Sequence, residues 1–148
     1  MRSLILLTAL LFHGGVHAAM PLPQLDAAME TLLDRADQGD TAARRQLAAR
    51  FHARAVTLFQ QYADTQELAS LKQAALYAAW ACDLDPDSAA HWVMLGQIYL
   101  QQSDRNALEN ADYALSNAYR LAPDDRFITL LLGETHLLQR RVYSARDY

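Results

Sequence analysis

One short spacing constrains this chain more than its composition does. Trp92, Leu95, Gly96 and Tyr99 form the series W-x2-L-G-x2-Y, and Thr129, Leu132, Gly133 and His136 repeat it further on. Residues three and four apart share one face of a helix. In each copy a glycine therefore sits among larger side chains, in the middle of a helical face. A glycine there costs about 1 kcal/mol against alanine, and close approach of a second helix offsets that cost. The second helix is signalled as well. Ala111, Leu115, Ala118 and Pro123 follow as A-x3-L-x2-A-x4-P, with Pro123 stopping the helix. Ala74, Ala78, Ala81 and Pro86 keep the same mutual spacing upstream, and Arg44, Leu47, Ala48 and Phe51 fit the first series again. Internal repetition at this many positions points to a stack of helical hairpins.

The segment from Pro86 to Pro123 resembles a tetratricopeptide repeat in Trp92, Leu95, Gly96, Tyr99, Ala111, Ala118 and Pro123, with Leu115 in place of the usual aromatic. Ala36, Gly39, Ala43, Leu47, Ala48 and Phe51 resemble the opening of the related Sel-like repeats. The resemblance implies an all-α, TPR-like α-solenoid of antiparallel helix hairpins, about seven helices in all. Two full repeats would lie between an N-terminal cap helix and a third repeat left incomplete, with Gly133 as the structural glycine of that last unit. The stretch between Phe51 and Ala74 is long enough for both helices of the first hairpin to gain about two turns, with a turn and a capping pair at Asp64–Glu67. A second turn is expected at Ser103–Asn106.

Composition agrees with helix. The 148 residues are 52% hydrophobic and 20% charged, with few glycines and prolines. A net charge of −4 without a basic cluster argues against nucleic acid as a partner. Residues 1–18 read as a secretory signal peptide: Arg2, the apolar run Leu4–Phe12, the break at Gly14 and Gly15, and a small-residue site at Ala18. The run is too short to span a membrane. The expected mature chain, 19–148, is a repeat domain in the bacterial periplasm without stable membrane insertion. Leu25, Ala28, Met29, Leu32, Leu33 and Ala36 mark its cap helix, ending near Gly39.

Catalytic and metal signatures are not evident. His52, His91 and His136 lie at no metal-ligand spacing, and no nucleophile, P-loop or dinucleotide motif is present. The lone cysteine, Cys82, reads as a buried thiol or, in an oxidising compartment, as an intermolecular bridge. No enzyme activity, cofactor or metal is expected. What remains is binding of a protein or peptide. The resemblance places a concave groove on the first helices of successive repeats, at Ala90, Val93, Gln97, Leu100 and Gln101, at Phe127, Leu130, Glu134, Leu137 and Leu138, and at Arg45, Ala49 and His52. The implied function is a periplasmic interaction module, an adaptor or scaffold for an envelope assembly such as a secretion, pilus or polysaccharide-export apparatus. The alternatives are a client-presenting module for cytochrome maturation or cell-wall enzymes, and a truncated copy of a longer repeat protein.

The last of these follows from a conflict in the sequence. Phe127, Ile128, Leu130, Leu131, Leu132, Leu137 and Leu138 surround one helix on every side, and Val142–Tyr148 is too short to cover it. The expectation is an apolar C-terminal edge that docks a partner or a second copy.

Overall fold

The computed structural model describes residues 24–145. The signal-peptide segment, Pro21, Pro23 and the last three residues lie outside them. Within the described residues the chain is all helix, with six helices and no strand: α1 Ala27–Asp37, α2 Thr41–Thr65, α3 Leu68–Leu84, α4 Ala89–Gln102, α5 Arg105–Leu121 and α6 Arg126–Ser144. A seventh is not among them. Successive helices pack antiparallel, each on the next, and α2 also touches α4, as α4 touches α6.

Short polar residues set the boundaries. Asp26, Asp40, Asp104 and Asp125 occupy N-caps and accept backbone amides, from Met29 at 2.8 Å, Ala43 at 3.0 Å, Ala107 at 2.8 Å and Phe127 at 2.9 Å. Asp40 also takes the Arg35 guanidinium at 2.7 Å, so one carboxylate fixes both sides of the α1–α2 turn. The Ala43 amide, and then Arg35, hold that carboxyl below its usual range. Gly39, at φ +91, supplies the left-handed residue that ends α1. The α2–α3 and α4–α5 turns use non-glycine residues in that conformation, Gln66 and Ser103. The expected Asp64–Glu67 capping pair does not form. Glu67 makes no side-chain cap, and its amide instead donates to Thr65 Oγ1 at 3.2 Å.

The first hairpin is lengthened on one side only. α2 has 25 residues against 14 in α4, whereas α3 and α5 have 17 each. The half-buried stripe of α2 runs on through Leu58 and Tyr62, and Leu68, at the start of α3, is 62% exposed. At the other end of the hairpin Arg44 donates to the carbonyls of Leu84 at 2.8 Å and Asp83 at 3.2 Å, closing the C-terminus of α3 with a cation, where the helix dipole favours one.

The core is layered. α3 lies between α2 and α4 and buries side chains around its whole circumference, among them Leu71, Ala74, Ala78, Trp80, Ala81, Cys82 and Leu84. Its many alanines let both neighbours come close. Met29, Leu32, Leu33 and Ala36 of α1 cover the near end of this core, while Ala28 faces out. A second, smaller cluster joins Leu100, Leu108, Ala111, Leu115 and Leu131 between α4, α5 and α6. The Trp92 indole packs edge-on against Tyr113 at 5.8 Å and donates to the Pro86 carbonyl at 2.8 Å, tying α4 to the turn before it.

Candidate functional site

The close approach expected at Gly96 is present. A Cβ placed there would lie 2.6 Å from Leu115 Cγ and 2.7 Å from its Cδ2, distances that no side chain tolerates. Ala111, Leu115 and Ala118 are fully buried on the facing helix, and Leu95 and Trp92 nearly so. Gly133 occupies the same place in α6 but meets nothing within 4 Å among the described residues.

The residues assigned to a groove divide into three groups. Leu100 is buried at 7% exposure in the smaller cluster and offers no surface. It packs among Leu108, Ala111 and Leu115 of α5 and Leu131 of α6. Val93 and Leu138 are half-buried against that cluster, and Gln97 is half-buried on α4. Gln101, Glu134, Ala90, Arg45 and Ala49 are exposed. Phe127, Leu130 and Leu137 are exposed as well, at 49%, 71% and 59%. The apolar edge is therefore real, but only part of α6 forms it. Ile128, Leu131 and Thr135 are buried against α4 and α5. At 3.6 residues per turn, Leu130 and Leu137 lie roughly on the opposite side of the helix from that face.

Where α5 and α6 meet, polar contacts decorate the seam. His136 Nε2 lies 3.2 Å from Asp112 Oδ1, Gln139 donates to the Leu108 carbonyl at 3.4 Å, and Tyr143 donates to Glu109 at 3.3 Å under the Arg105 guanidinium. His136, whose position in α6 matches that of the half-buried Tyr99 in α4, thus links α5 and α6. Burial, together with nearby Cys82 and Asp83, pushes the Tyr99 hydroxyl up to about 12. Cys82 is buried and its thiol is raised by desolvation, which makes it a poor nucleophile.

One juxtaposition escaped the spacing argument. His52 of α2 and His91 of α4 meet with their Nδ1 atoms 2.8 Å apart and ring centroids 4.9 Å apart. One imidazole donates and the other accepts, so the pair shares a single proton between the facing nitrogens. His91 Nε2 lies 3.8 Å from the Asp85 carboxylate. Burial lowers both histidines, and His52 lowers His91 further against the opposing pull of Asp85. Their places in sequence give no hint of this contact, because it spans two hairpins. No group of three potential metal ligands exists among the described residues. No helix there is long and apolar enough to cross a membrane.

Compared with known proteins, the chain matches no family model, no curated protein and no solved structure.

Proposed function

We propose that this chain is a TPR-like α-solenoid that binds another protein, an adaptor or scaffold of an envelope assembly in the bacterial periplasm. The observation that carries the reading is the α4–α6 surface. Gln97, half-buried on α4, and the exposed Gln101 and Glu134 supply polar groups on the two helices, Phe127 is half-exposed at the start of α6, and Val93 and Leu138 are half-buried against the cluster between α4, α5 and α6. Mixed polar and apolar helix faces of this kind suit an extended or helical peptide. Leu100 is left out of this surface, since it belongs to the core, and so are the exposed Leu130 and Leu137, which lie further round α6. Secretion through residues 1–18 is part of the reading.

Site-specific photo-crosslinking from positions 97, 101 and 134 in a Gram-negative periplasm tests it. The expected result is one discrete adduct, with the mature chain beginning at Ala19. A broad smear of adducts would favour client presentation instead. The absence of any adduct, or retention of Met1 in the cytoplasm, would contradict the reading.

A further inference from the structure

The chain contains the same helix face twice, once covered and once bare. Around Gly96, α5 lays Leu115 against the glycine, and Leu100 is buried among Leu108, Ala111 and Leu115. Around Gly133, Leu137 stands in the position of Leu100 and Leu130 in that of Val93, yet both leucines are mostly exposed. Nothing lies over the glycine within 4 Å among the described residues. A mid-helix glycine is costly without a close neighbour, and the covered copy shows what such a neighbour looks like.

We infer that the α6 face made by Leu130, Gly133 and Leu137 docks one amphipathic helix of another protein, antiparallel to α6, with a leucine seated over Gly133 and alanines on either side of it. This is the arrangement that Ala111, Leu115 and Ala118 make on Gly96. The flanking charges give the helix its direction and sign. Arg140 and Arg141, at the end of α6, lie opposite the first turn of the incoming helix, where acidic side chains are favoured by its dipole. Arg126, at the start of α6, lies opposite its last turn, where carbonyls are left without helical partners. The partner helix therefore carries an Ala-x3-Leu-x2-Ala stripe and an acidic first turn. A second copy is a poorer occupant. Two α6 helices laid antiparallel about Gly133 would set Arg126 against Arg140 and Arg141, and one Glu134 beside the other, opposing like charges across the contact. The inference shares with the proposed function only the premise that the partner is a protein. It concerns a different face of α6.

The probe is a hydrocarbon-stapled peptide of the sequence Arg105–Leu121, shown to be helical by circular dichroism and titrated calorimetrically into the full chain. Micromolar binding is expected. Gly133→Gln, which fills the slot without adding apolar surface, weakens it about tenfold or more while the melting temperature stays at or above that of the parent. Leu115→Ala in the peptide weakens it similarly, and Arg105→Glu in the peptide strengthens it. Failure of the helical peptide to bind at millimolar concentration, or binding indifferent to Gly133→Gln, would overturn the inference. So would a dimer of the parent chain that Gly133→Gln disperses, since it would assign the face to a second copy. Crosslinks from positions 97, 101 and 134 report on the groove and are independent of every one of these outcomes.

Discussion

Gly96 and Leu115 are in contact so close that a methyl group on the glycine would force Leu115 to shift: a Cβ would stand 2.6 Å from Leu115 Cγ. The middle hairpin is built around this contact, because Leu115 is fully buried and central to the cluster that holds α4, α5 and α6 together. Gly96→Leu is expected to cost about 3 kcal/mol or more by overpacking. Leu115→Ala in the same chain should recover part of that loss, since it vacates the space the new side chain needs. Denaturant unfolding of the two single variants and the double variant measures the coupling. Strictly additive losses would show that the two residues do not meet.

Acid should weaken the fold through His52 and His91. Both are lowered from the usual value of 6.5, chiefly by burial. The unfolded chain then binds protons that the folded chain does not, so stability is full above about 6.5 and falls as pH drops below it. The titratable groups that act on His91 are His52 and the Asp85 carboxylate, 3.8 Å away. Asp85 moderates the effect without cancelling it. Unfolding free energy measured at pH 7.5 and pH 5 should show the loss in the parent, and His52→Gln should reduce the difference between the two. An unchanged pH dependence in that variant would remove the pair as its cause.

Arg44 closes the end of α3 by donating to two carbonyls that the helix leaves open. Arg44→Met keeps much of the aliphatic stem and removes the donors. A loss of about 1–2 kcal/mol is expected, read as a lower denaturation midpoint with an unchanged slope. A larger slope change would mean that the first hairpin had begun to unfold separately.

The helical character and the close glycine were legible in the sequence because they rest on local spacing. A glycine amid Trp92, Leu95 and Tyr99 marks the point where a second helix comes near, and Pro123 marks where that helix stops. What could not be read depends on how one hairpin sits on the next. Leu100 has the spacing of a groove residue, yet Leu108, Ala111 and Leu115 of α5 bury it together with Leu131 of α6. His52 and His91 are far apart in sequence and meet only because α2 touches α4. The lopsided lengthening of α2 is equally hidden: Gln66 ends it in a left-handed conformation that a glycine would have advertised. The exposed edge of α6 was half legible. An apolar circumference shows that some side must lack a neighbour, but only the packing shows that Ile128 and Leu131 are the covered residues while Leu130 and Leu137 are not.

Alanine at each of the two equivalent glycines tests the account most directly, because the repeat logic gives the same substitution opposite signs. Gly96→Ala is expected to destabilise by about 1–3 kcal/mol, the clash with Leu115 outweighing the better helix propensity. Gly133→Ala is expected to stabilise by about 0.5–1 kcal/mol, since its methyl meets nothing and only the propensity term remains. Equilibrium unfolding in urea of the parent and the two variants, followed by circular dichroism at 222 nm, gives both values. Opposite shifts of the midpoint are the predicted result. Shifts of the same sign and size would contradict the claim that one face is covered by a close helix and the other is open.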